Sequence, residues 1–258
     1  MQPVVLLGIA AGLLGHAPVD NFVHEPTSAY ETKIYHGFTV RISRAARAKA
    51  HELYAALGLL KTKLKEITEI VPPEPLSVLQ KIPIWVEWNN PDFPCCCYHP
   101  ERKWLEQNGY NVDKENSVEI CNPTNFVKWM TEDQPMMILH ELAHGYHDIV
   151  LGYEDKYIES CYRNAMTHDL YRSVPYHRGQ KLQAYATRNP IEYFAELTEA
   201  YFGKNDYYPF TRDELKEYDP KGYEMMQRIW GEPSKPVSKP LDRAKGGHFR
   251  LSKINSLK

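Results

Sequence analysis

The string His140-Glu141-Leu142-Ala143-His144 carries chemistry only if it is helical. At 3.6 residues per turn, positions four apart lie about 40° apart on a helix, so both imidazoles can reach one ion from a single face. Glu141 is rotated by about 100° from His140, close enough to touch a water on that ion and badly placed to replace a histidine as ligand. The same string also suits a histidine-rich amphipathic helix whose imidazoles simply hydrogen-bond to neighbours. A catalytic zinc takes three protein ligands and keeps a fourth position open. A metal reading therefore requires another element, packed against this helix, to supply the third.

A histidine six residues after His144 would provide it in the metzincin manner, but that position is Val150, and His147 stands where that pattern has glycine. Further along, Glu192, Glu196 and Glu199 are spaced four and three residues apart, so they share one face of a second helix. A carboxylate from such a helix would make a His2Glu site. His147 lies seven residues after His140 on the same stripe, displaced by nearly another turn, and suits a core-facing position or one backing a ligand histidine. His168 and His177 sit in polar, loop-like sequence and are expected at the surface.

The segment Tyr185-Ala-Thr-Arg-Asn-Pro-Ile-Glu192-Tyr-Phe194-Ala195-Glu196, following the His-Glu-Leu-Ala-His string, resembles the zinc-binding part of the anthrax lethal factor metallopeptidase family. The match falls on Tyr185, Glu192, Phe194, Ala195 and Glu196 and covers roughly residues 134–203. The resemblance implies that Glu192 is the third zinc ligand and Tyr185 a catalytic tyrosine that donates to the oxyanion. Glu196 then suits an acceptor for a histidine N–H. The large receptor-binding and substrate-recognising parts of that toxin have no room in this chain, so its targets do not carry over.

The expected fold is α+β: a single zincin-like (gluzincin) metallopeptidase domain with a small sheet and an active-site helix bearing the motif. It would hold one Zn2+ per chain and hydrolyse a peptide or protein substrate, with Glu141 as general base. Two other readings stay open, a non-catalytic zinc-containing binding protein on the same fold and a hydrolase of a non-peptide amide.

Residues 33–42 are rich in aromatic and β-branched side chains and read as one strand. Leu53, Leu57, Leu60, Leu64 and Ile67 form the apolar stripe of a long helix from Arg44 to Ile70, stopped by Pro72-Pro73. Strands follow at 82–88 and 117–121, with loop and one short helix near 100–107 between them. The motif helix is expected from Gln134, with Pro135 in its first turn. A second helix opens at Asn189-Pro190 and runs to Gly203, a turn-rich segment lies between the two, and a helical pair occupies 211–217 and 219–230. One domain, residues 20–230, accounts for all of these.

At 43% hydrophobic and 25% charged, the chain has the balance of a soluble globular protein, and its net charge of −2 gives no sign of a nucleic-acid partner. Residues 231–258 hold seven Lys or Arg against Glu232 and Asp242, amid Pro, Ser and Gly, and are expected to be a basic, disordered tail. An apolar run from Pro3 to Gly15 is too short to span a bilayer, which argues against stable membrane insertion. With Gly15-His16-Ala17 as a small-x-small cleavage pattern, residues 1–17 are expected to be a signal peptide and the protein to be secreted. The absence of Lys or Arg ahead of the run, and Pro18 behind it, leave a cytoplasmic protein with a packed apolar segment as the alternative. Five cysteines, three consecutive at Cys95, Cys96 and Cys97, include no Cys-x-x-Cys pair and so argue against a zinc ribbon or thioredoxin-type site. A disulfide between the triplet and Cys121, or inert buried thiols, both fit.

Overall fold

The region expected as one strand is a hairpin. Strand β1 (Glu31–Tyr35) turns at His36 and Gly37, both at positive φ (51° and 89°), into β2 (Phe38–Ile42). Two consecutive positive φ values twist a two-residue turn to match the strands it joins. A Cβ at Gly37 would stand 2.5 Å from the Gln80 amide nitrogen, which donates to the His36 carbonyl at 2.8 Å. The computed structural model describes residues 24–234, so the expected signal peptide (1–17) and the tail beyond 234 lie outside the described residues.

After a short turn of helix, α1 (Arg44–Arg47), the long helix α2 (Ala50–Ile70) buries Leu53, Ala56, Leu60, Leu64 and Ile67. Pro72 and Pro73 end it as expected, and Pro73 also opens α3 (Pro73–Leu79), where a missing N–H costs nothing. Strand β3 (Ile84–Val86) follows, then β4 (Cys96–His99), α4 (Arg102–Gln107) and β5 (Ser117–Ile120). The sheet order is β1-β2-β3-β5-β4; β2, β3 and β5 run parallel, and the two outer pairs are antiparallel. Strand β4 is therefore an edge. It lies in sequence expected to be loop, because Cys-Cys-Tyr-His, buried at every position, shows neither alternation nor β-branched residues.

Three helices follow: α5 (Pro123–Glu132), the motif helix α6 (Met137–Tyr146) and α7 (Lys156–Thr167). Helix α6 starts at Met137 rather than Gln134, because the Asp133 and Gln134 amides close α5 onto the Trp129 carbonyl and Pro135 is used in the turn. The supposed turn-rich segment contains α7, capped by Asp155, whose carboxylate accepts from the Tyr157 and Ile158 amides at 2.9 Å each. A two-stranded ribbon, β6 (Val174–Pro175) and β7 (Lys181–Leu182), leads to α8 (Pro190–Phe202). Helices α9 (Arg212–Tyr218) and α10 (Pro220–Trp230) close the fold.

The main core lies between the sheet and the helical layer, and α8 runs through it, buried from Ile191 to Phe202. Trp230 of α10 stacks on Phe194 at 5.7 Å and donates its indole N–H to Thr198 Oγ1 at 3.1 Å. A smaller cluster of Phe93, Cys97, Leu105, Tyr110 and Cys121 covers the opposite face of the sheet at β4 and β5. Among the described residues no helix is long and apolar enough to cross a membrane.

Candidate metal centre and cleft

Two packed helices, α6 and α8, build the centre. Gly145, next to His144, lets α6 lie close to the sheet: a Cβ there would sit 2.6 Å from Ile82 Cδ1 and 3.0 Å from Tyr98 Cε2. Asn189 caps α8 by accepting the Glu192 amide at 2.8 Å, which sets Glu192 in the first turn, facing α6.

The result brings His140, His144 and Glu192 together. Glu192 Oε2 is 3.3 Å from His140 Nε2 and 3.3 Å from His144 Nε2, and the two imidazole rings meet edge-on with centroids 4.7 Å apart. Ligands held at about 2.0–2.1 Å around a tetrahedral ion stand about 3.3 Å from one another. Two neutral imidazoles and a carboxylate are also the donor set that zinc favours, so these residues fit that ion. His144 and Glu192 are buried, and His140 keeps 11% of its side chain exposed toward the cleft.

The partner of His140 differs from expectation. Its Nδ1 is 2.7 Å from Glu199 Oε1, whereas Glu196 Oε1 stands at 3.9 Å. Glu196 instead faces Asn205 Nδ2 at 3.4 Å, with Asp206 nearby. The sequence signal for Glu199 was its place on the Glu192 face, but spacing alone does not rank two carboxylates three residues apart. His147 is buried, its ring against Tyr153 and Phe194 at 5.2 and 5.0 Å, and neither nitrogen has a hydrogen-bond partner among the described residues. It faces the core, at the start of a single π-helical turn (His147–Leu151) that continues α6. His168 is exposed, while His177 is partly buried and 3.1 Å from Asp133 Oδ1.

Glu141 and Tyr185 face the cleft that these groups open into. Its far wall is Pro94, Cys95, Cys96, Trp129 and Met137, none of which the sequence marks as lining a site. Burial pushes the Glu141 carboxyl up, opposed by the neighbouring His144 and His140. Burial and the Glu192 charge push the Tyr185 hydroxyl up as well, so it stays a donor, and Arg188 donates to its oxygen at 3.0 Å. Burial would raise Glu192, but the His144 charge and the hydrogen bonds from both imidazoles hold it well below the ordinary carboxylate range. Behind His140, burial and the Asp206 and Glu199 charges hold the Glu196 carboxyl well above that range, while burial and Glu199 push Asp206 up to about 7.

No protein-family model matches the sequence, and no curated protein matches it. Among solved structures, the chain is similar to the PRO-PRO endopeptidase PPEP-2 from Paenibacillus alvei, at 18% identity and a TM-score of 0.41, over 68% of this chain and 90% of that one.

Proposed function

We propose that the protein is a zinc-dependent peptidase of the gluzincin type, with His140, His144 and Glu192 holding one zinc ion. The observation that carries this reading is the position of Glu192 Oε2, 3.3 Å from each of the two histidine Nε2 atoms. A zinc ion bound there would supply Lewis acidity, polarising a carbonyl and lowering the pKa of a water to about 7.

The chain's own groups do the rest. Glu141 sits beside both histidines at the cleft, where its carboxylate takes a proton from the attacking water and returns it to the leaving amine. Tyr185 presents a hydroxyl that resists ionisation and so donates a hydrogen bond to the developing oxyanion. Glu199 accepts the His140 Nδ1–H, which fixes the ring's tautomer and turns Nε2 toward Glu192. The apolar far wall, from Pro94 to Cys96 with Trp129 and Met137, excludes water and suits a substrate peptide with an apolar side chain there. The apolar run 3–15 and the Gly15-His16-Ala17 pattern support action outside the cell that makes the protein.

The reading is tested by stripping the purified protein with a chelator and profiling cleavage of a peptide library before and after zinc is restored. The expected result is cleavage lost with the metal and recovered with about one equivalent of zinc, as a single site requires. Cleavage that persists in metal-free protein, or no cleavage at full zinc occupancy, contradicts it.

A further inference from the structure

The cysteine triplet is divided by the pleat of β4. Cys96 joins the main core and the cleft wall, while Cys97 points to the opposite face with His99. There Cys97 Sγ lies 3.6 Å from Cys121 Sγ, and both residues are buried. His99 Nε2 is 3.5 Å from the same Cys97 sulfur and 2.8 Å from Glu119 Oε2. Cys97, Glu119 and Cys121 stand close enough together to surround an ion. Glu119 is already engaged, however: Lys114 Nζ donates to Oε2 at 2.9 Å and Asn90 Nδ2 to Oε1 at 2.7 Å. A buried ammonium therefore already neutralises the carboxylate and opposes a further cation. What remains is a pair of touching thiols with an imidazole beside one of them.

We infer that Cys97 and Cys121 form an oxidisable dithiol that closes to an intrachain disulfide when the protein meets a peroxide, with Cys97 attacking and Cys121 resolving. His99, whose Nε2–H already points to Glu119 and lies beside the Cys97 sulfur, holds Cys97 as the thiolate, its proton passing to solvent. The Cys97 sulfur attacks one peroxide oxygen, the O–O bond breaks, and the departing hydroxide takes back from solvent the proton that Cys97 lost, leaving a sulfenic acid and water. The Cys121 sulfur attacks that sulfur, the S–O bond breaks, and the Cys121 thiol proton joins the departing hydroxide, so that a second water leaves. Two electrons from the thiol pair reduce one peroxide.

The two thiols are polarised for these roles. Burial would raise Cys97, but the hydrogen bond from Cys121 and the nearby His99 bring its thiol below the ordinary value. Burial and Cys97 together hold Cys121 well above it. The sulfurs must close from 3.6 Å to a bond of about 2.05 Å. The strands are already joined at this point, since the Cys121 amide donates to the Cys95 carbonyl at 2.7 Å. The bond would lock edge strand β4, whose other face borders the cleft, to the end of β5. The chemistry is independent of the zinc reading, because no metal ligand takes part.

The test uses the full chain, reduced, desalted and exposed to hydrogen peroxide under native conditions, then denatured and alkylated for intact mass and peptide mapping. Two of the five free thiols should lose alkylation together, and a thiol reductant should restore them. The linked peptides should join the triplet to Cys121. The link should survive the Cys95→Ser/Cys96→Ser double variant and vanish in Cys97→Ser. In Cys121→Ser, Cys97 should instead accumulate as a sulfenic acid trapped by a cyclic diketone. Five alkylated thiols after peroxide, a link that involves Cys161 or survives Cys97→Ser, or a second zinc equivalent that shields both thiols would overturn the inference. Should a variant fail to fold, fragmentation of the wild-type linked peptide between Cys95, Cys96 and Cys97 places the bond, and a bond at Cys95 or Cys96 overturns the inference.

Discussion

Glu199 is the residue whose role the structure alters most. It is buried, seven residues beyond Glu192, and it holds His140 Nδ1 at 2.7 Å. Removing a carboxylate that orients a metal-binding histidine typically costs about 10- to 100-fold in metal affinity. Glu199→Ala should weaken zinc binding by about that factor, measured by competition with a fluorescent chelator, while Glu196→Ala should weaken it less. Equal losses in the two variants, or a larger loss at Glu196, would return the orienting role to Glu196. The site was partly legible at this scale. His140, Glu141 and His144 stand out because their spacing is the one the proposed zinc chemistry needs, and Glu192 was implied by a resemblance. The choice between Glu196 and Glu199 depends on how α8 is rotated against α6, which no local pattern encodes. Nor does the sequence mark Cys96 or Trp129 as cleft wall, since burial against a site and burial in a core demand the same residue types.

Helix α6 can carry the centre only because it lies close against the sheet, and Gly145 permits that approach. Gly145→Ala would normally favour a helix by about 0.5–1 kcal/mol. Here its methyl would overlap Ile82 Cδ1 and press on Tyr98, so the net effect should be a loss of about 1–3 kcal/mol in a denaturant titration. A stabilised variant would mean that α6 rests farther from the sheet. Among elements, legibility follows the strength of local signals. Asn189-Pro190 announced α8, and the same pair at Asn122-Pro123 opens α5, where Asn122 accepts the Asn125 amide at 2.9 Å, yet it lacks the long apolar run that made α8 readable. The hairpin at His36-Gly37 was hidden because His-Gly is not among the Asn-Gly and Asp-Gly pairs that mark a two-residue turn. Helix α7 was missed because its buried face is only Ile158, Cys161 and Ala165.

Across the whole molecule, the candidate metal centre on one side of the sheet is balanced by a buried polar network on the other. Lys114 is buried between Glu87 and Glu119, at 2.6 and 2.9 Å, and His99 donates to Glu119. Burial would lower His99, but Cys97 and Glu119 outweigh it and raise its pKa from 6.5 to about 10. A histidine raised on folding stabilises fully below its unfolded value, and that gain fades as pH rises toward the folded one. The stability advantage of wild type over His99→Gln should therefore be largest below pH 6.5 and shrink between 6.5 and 10, with a slope approaching about 1.4 kcal/mol per pH unit. Urea midpoints of the two proteins across that range check it, and an advantage that grows with pH would show that His99 is buried neutral. The proposed activity is most directly examined in Glu141→Gln, which keeps the side chain's shape and removes the base. Zinc content and steady-state peptide hydrolysis should be measured on the same preparations of this variant and wild type. The expected result is unchanged zinc, about one per chain, with turnover lowered by about 100-fold or more. Undiminished turnover in the zinc-loaded variant would contradict the assignment of Glu141 as base and, with it, the peptidase mechanism proposed for this centre.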